Sequence, residues 1–98
     1  MKAETSVPVH EIIQNRRSPR SFNEVAKISR EDLIAILEAA RWAPSAFNGQ
    51  PWRFIYATKD SIHWNRLFDL LVDFNKSWAC NASALVLIIS RKHFEHNE

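Results

Sequence analysis

The sequence predicts an α+β domain, and three observations lead there. The stretch "SREDLIAILEAARWA" sets apolar residues at helical spacing. The stretch "ALVLIIS", Ala84 to Ser90, is a continuous apolar run rich in β-branched residues, as in a central strand covered on both faces. Between and around them the patterns alternate in the order helix, helix, strand, helix, strand. At 98 residues the chain fits one domain. Its 46% hydrophobic content, with four Trp and six Phe, supplies a core and excludes a disordered chain. Two strands do not make a self-sufficient sheet. Residues 1–98 therefore read as the front part of one domain whose remaining strands come from elsewhere, with exposed apolar surface expected on this part.

The elements follow in chain order. "VHEIIQNRR" places Val9, Ile12, Ile13 and Arg16 at helical spacing. That helix should end near Arg17, because Pro19 disfavours α geometry at Ser18. In the second helix Ser29 and Asp32 form a capping-box pattern. Leu33, Ile36, Leu37 and Ala40 then make one apolar stripe, and Pro44 should stop the helix at about Ala43. "WRFIYA" carries aromatic and β-branched residues and reads as a strand. Asp60 or Ser61 can cap a third helix, in which Trp64, Leu67, Phe68, Leu71 and Trp78 recur at near-helical spacing. The second strand is Ala84 to Ser90, and a polar end, "RKHFEHNE", follows it. A strand joined to a later strand through a helix implies a parallel pair with a right-handed crossover.

Composition excludes several functions. The formal charge is +2, from 13 basic and 11 acidic residues, too mild for bulk attraction to nucleic acid. No stretch approaches the roughly 20 apolar residues of a membrane span, and "MKAETSVPVH" has no run of signal-peptide type. The one cysteine, Cys80, cannot form an internal disulfide, which fits a reducing compartment and a cytoplasmic protein. It lacks a CxxC partner and reads as a buried small hydrophobe. The sequons at Asn75 and Asn81 are read as accidental. One glycine cannot build a GxGxxG or Walker A loop. His93, Glu95, His96 and Glu98 lie at a polar terminus without a second cluster, so no metal site is expected.

Two stretches carry chemistry. "RRSPR", Arg16 to Arg20, puts three guanidinium groups and a hydroxyl within five residues. Guanidinium forks match phosphate oxygens, although a solvated basic turn is the commoner use of such a segment. "APSAFNGQPWRF", Ala43 to Phe54, holds the only glycine and two prolines. Pro44 and Pro51 stiffen this connection, and Gly49 allows a positive φ. Asn48 and Gln50 carry both donors and acceptors, as the edge of a heteroaromatic ring requires. The bland alternative is a rigid helix-to-strand turn anchored by Trp52.

Together, "IIQNRRSPRSF" and "LEAARWAPSAFNGQPWRFIYAT" resemble the N-terminal part of the nitroreductase family, FMN-dependent NAD(P)H oxidoreductases. The resemblance runs from about Val9 to Ser90 and implies a nitroreductase-like α+β fold. It implies that Arg16, Arg17 and Ser18 lie along the phosphate and ribityl end of FMN. Arg20 would reach the pyrimidine side of the flavin, where a cation favours the reduced form. Pro44, Ser45, Ala46 and Asn48 would contact FMN held mainly by the other subunit of a homodimer. Asn75 matches a position whose amide faces the flavin pyrimidine ring, and Trp78 stands where some relatives carry lysine. The implied chemistry is ping-pong electron transfer from NAD(P)H to a nitroaromatic, quinone or similar small-molecule acceptor. The flavin carries that chemistry, so no catalytic side chain is named. Family members continue well beyond this length. The rival reading is a non-catalytic, truncated remnant that self-associates through an unpaired sheet edge without FMN.

Overall fold

Local chemistry starts the first two helices of the computed structural model, which describes residues 2–92. Helix α1 spans Glu11–Asn15, and its cap is the His10 ring, whose Nδ1 accepts from the Ile12 N–H at 3.1 Å. The backbone turns extended at Arg16 (φ −62°, ψ 140°). Arg16 to Arg20 therefore leave the helix as an arm, and the helix stops short of Arg17. Helix α2 spans Arg30–Arg41, with the Ser29 hydroxyl accepting from the Asp32 N–H at 3.0 Å, as its sequence predicts. Glu31 and Asp32 in the first turn and Arg41 in the last complement the helix dipole. The expected stripe is only partly right. Leu33 is buried at 4% exposure, but Ile36 stands 55% exposed on the open side of the helix.

Strands β1, Trp52–Thr58, and β2, Ala84–Ser90, form a two-stranded sheet. They run antiparallel, from Trp52 opposite Ser90 to Thr58 opposite Ala84, so the expected parallel crossover is wrong. The connection explains why. It holds two short helices, α3 (Trp64–Phe68) and α4 (Asp73–Ala79), where one was expected. Val72 is extended between them (φ −68°, ψ 154°), so the path doubles back instead of crossing the sheet. The Lys59 N–H donates to the Ser83 carbonyl at 2.9 Å, so the connection leaves and returns at the same end of the pair.

Helix α3 packs against both strands. The core consists of Leu33, Ala57, Trp64, Ala79 and Ala82, with Phe68 stacked on Trp64 at 5.9 Å. The Ile28 N–H donates to the Ser83 hydroxyl at 2.7 Å, tying the approach to α2 to the start of β2. Lys27 pairs with Asp60 at 3.0 Å beside it, but both are exposed, so the pair adds little.

The apolar run of β2 is not covered on both faces by the described residues. Val86, Leu87, Ile88 and Ile89 are all exposed, Ile88 at 69%. A two-stranded sheet has too few layers to bury such a strand. The chain's accessible surface is 8378 Å², where a compact monomer of its mass would show about 5,800 Å². The expected exposed apolar surface is present. Among the described residues no helix is long and apolar enough to cross a membrane. His93, Glu95, His96 and Glu98 lie outside the described residues, as does most of the polar end expected after β2. Cys80 is half-buried, with its thiol 3.6 Å from the Ser77 carbonyl, and so is less enclosed than expected.

Candidate functional site

The extended backbone after α1 sets the Arg16–Arg20 arm on the surface, with Arg16, Arg17, Ser18 and Arg20 all exposed. Arg16 Nη1 donates to Ser18 Oγ at 2.9 Å, which draws the hydroxyl and one guanidinium together. The ion pairs of the described residues are Lys27–Asp60, Arg41–Glu38 and Lys76–Asp73. None involves the arm. Three like charges thus stand within five residues without a carboxylate among the described residues to offset them. Such an arrangement favours an anion.

The arm is fastened to α4. Phe22, just past Arg20, packs on Trp78 with ring centroids 5.8 Å apart and planes tilted by 33°. Trp78 Nε1 in turn donates to Asn75 Oδ1 at 3.3 Å, one helical turn back. Asn75 and Trp78 are both half-buried. Phe22 is not among the residues the sequence singles out, and Trp78 is expected on the apolar stripe of the third helix and at the position where some relatives carry lysine. The spacing of Asn75 and Trp78, three apart on a helix, was the available signal for their contact.

The loop between α2 and β1 is a second constellation. A 3₁₀ turn covers Ala46–Asn48, with Asn48 N–H donating to the Ser45 carbonyl at 3.1 Å and Gly49 N–H to the Ala46 carbonyl at 2.9 Å. Gly49 is not the left-handed residue expected, since its φ is −67°. The positive φ angles fall on Phe47 (52°), Asn48 (52°) and Gln50 (45°). Asn tolerates this region, while Phe and Gln store about 1–2 kcal/mol each. A closed set of bonds holds the strain. Gln50 N–H donates to Ser45 Oγ at 3.0 Å, Gln50 Nε2 donates to Asn48 Oδ1 at 3.0 Å, and Arg53 Nη1 donates to the Gln50 and Trp52 carbonyls at 3.0 and 2.7 Å. The Asn48 side-chain oxygen is taken by the bond from Gln50 Nε2, and its amino group makes no hydrogen bond among the described residues. Asn48 and Gln50 line a small cavity with Arg41, Trp42 and Ala43.

The structure joins Arg16 to Ser18, and it ties Phe22, two residues past Arg20, to Trp78 and through Trp78 to Asn75. It gathers Pro44, Ser45, Ala46 and Asn48 separately. Among the described residues no hydrogen bond or ion pair joins the two groups.

A profile of the nitroreductase family matches residues 13–93. The chain belongs to the nitroreductase family. Among its relatives in this family, YdgI of Bacillus subtilis is 38% identical over 80 residues, covering 82% of this chain and 37% of YdgI. The oxygen-insensitive NADPH nitroreductase of Helicobacter acinonychis is 35% identical over 85 residues, covering 87% of this chain and 40% of the relative. Nitroreductase-fold proteins are its structural neighbours. A crystal structure described as an oxidoreductase containing FMN superposes with a TM-score of 0.88 at 47% identity, over 95% of this chain and 47% of that one. The chain spans less than half the length of each of these relatives, so the nitroreductase fold is present here as a partial domain.

Proposed function

We propose that residues 1–98 form the N-terminal part of one nitroreductase-like domain, and that this part holds FMN in an NAD(P)H-dependent oxidoreductase. The observation that carries the reading is the exposed Arg16–Arg20 arm, which pairs with no carboxylate among the described residues and runs into Phe22, packed on Trp78 of α4. The residues fit the group. A phosphate monoester suits Arg16, Arg17 and Ser18, and a polar ring edge suits Arg20 and the outward donors of Asn75. Pro44, Ser45, Ala46 and Asn48, unlinked to the arm within one chain, would meet the FMN of a second subunit, which makes the active form a homodimer.

When bound, FMN supplies hydride acceptance from NAD(P)H and electron delivery to a nitroaromatic, quinone or similar acceptor. The chain's residues bind the anion, orient the ring and present fixed donors to it. None acts as nucleophile or general base. With one FMN held by these residues to serve both, NAD(P)H and the acceptor would bind in turn, a ping-pong order. The unpaired Cys80 accords with a reducing, cytoplasmic setting. The test is the visible absorbance of the purified full-length protein and its NAD(P)H oxidation with a quinone. Bound flavin and turnover are expected. A colourless protein that takes up no FMN and oxidises no NAD(P)H would overturn the reading and leave the self-associating remnant in its place.

A further inference from the structure

We infer that Trp78 is a positioning residue that fixes the Asn75 amide so that Asn75 offers N–H donors, and not its carbonyl, to a carbonyl-type acceptor on the ring bound beside the Arg16–Arg20 arm. The inference rests on the FMN reading above. An indole N–H can only donate. The atom of Asn75 that lies 3.3 Å from Trp78 Nε1 must therefore be the carbonyl oxygen, which sets the amide one way round. The amino group is left on the other side. It has no hydrogen-bond partner among the described residues, and it is not sealed from solvent, since no buried side-chain nitrogen or oxygen is left unsatisfied. An accessible, unpartnered donor on a half-buried side chain is placed to meet a ligand acceptor.

Two further observations narrow the assignment. The Trp78 ring is held against Phe22, at 5.8 Å, so the indole has a fixed orientation from which to hold Asn75. The cation of α4, Lys76, is directed elsewhere. Its Nζ lies 4.0 Å from Asp73 and 5.8 Å from the Phe68 ring centre. The donor that α4 offers beside the arm is then the Asn75 amide, and its aim depends on the indole.

The test compares FMN affinity of the full-length protein, its Trp78→Phe and Asn75→Ala variants, and the double variant, with thermal melting as the control for folding. Trp78→Phe keeps an aromatic ring against Phe22 and removes the N–H together with part of the indole's bulk, whose packing cost the melting control reads. It should weaken FMN binding about five-fold, the scale of one neutral hydrogen bond. In the Asn75→Ala background the same change should have no further effect. Unchanged affinity in Trp78→Phe, or an equal loss in both backgrounds, overturns the inference. A second measurement needs no substitution. In the ¹⁵N spectrum of the wild-type protein, FMN should shift the Asn75 side-chain amide protons downfield, as donation requires, and unmoved resonances overturn the inference. A wild-type protein that binds no FMN would be seen before any variant is made and would remove the functional reading itself.

Discussion

The Ser45 hydroxyl accepts a hydrogen bond from the Gln50 backbone N–H at 3.0 Å, closing a loop whose backbone is left-handed at Phe47, Asn48 and Gln50. The two residues bracket the strained segment. The loop between α2 and β1 is therefore held in shape by its own polar groups before any ligand arrives, and Asn48 is presented from a fixed frame.

Replacing Ser45 with Ala should release that frame. The Gln50 N–H loses its acceptor, at a cost of about 1 kcal/mol. Amide exchange at Gln50 should quicken about five-fold at the same scale, and Ser45→Thr, which keeps the hydroxyl, should restore the wild-type rate. Equal exchange in wild type and Ser45→Ala would mean that the loop is held by other contacts.

The two faces of α2 should respond differently to truncation. Leu33→Ala removes a side chain that is 4% exposed and should cost about 2–5 kcal/mol. Ile36→Ala, at 55% exposure, should stay within about 0.5 kcal/mol. Denaturant titration of both variants decides it. A large loss at Ile36 would show that a surface outside the described residues covers that face in solution.

What the sequence disclosed was mostly local chemistry. The Ser29 cap was legible because a hydroxyl three residues before an acidic residue meets a helix N-terminus whatever the tertiary setting. Both strands were legible from their β-branched and aromatic content. Their pairing was not, because Trp64, Leu67, Phe68, Leu71 and Trp78 keep near-helical spacing across a break that no Gly or Pro marks. Read as one helix, the connection crosses the sheet. As two, it returns to the same end. In the loop, the lone glycine drew the positive φ that falls instead on Phe47, Asn48 and Gln50, in a loop held by its own hydrogen bonds. Of the candidate site, residue identities in the arm were readable, but the Phe22–Trp78–Asn75 chain is a tertiary contact that only the fold brings together.

The exposed apolar surface on β2 should drive association. A chain of residues 1–98 with Val86, Leu87, Ile88 and Ile89 exposed is expected to sediment as a dimer or larger species at low micromolar concentration. A sharp monomer boundary with cooperative unfolding would contradict this.

Mixing two variants tests whether the arm and the loop serve one site from two chains. In full-length protein, Asn48→Ala and Arg17→Ala homodimers should each carry two damaged sites. Their heterodimer should carry one site with both defects and one with neither. The purified heterodimer should then hold roughly half the wild-type complement of FMN. If subunit exchange is confirmed by mass and no FMN binding returns, the loop and the arm belong to the same chain's site.

The central claim is that the Arg16–Arg20 arm holds a flavin phosphate. Fluorescence titration of the full-length apo-protein with FMN, for wild type and for Arg16→Ala, Arg17→Ala and Arg20→Ala, tests it most directly. Wild type should bind FMN, with loss of a phosphate-contacting Arg costing about 1.5–3 kcal/mol and high salt weakening the wild type. Wild-type affinity retained in all three single variants would contradict the assignment.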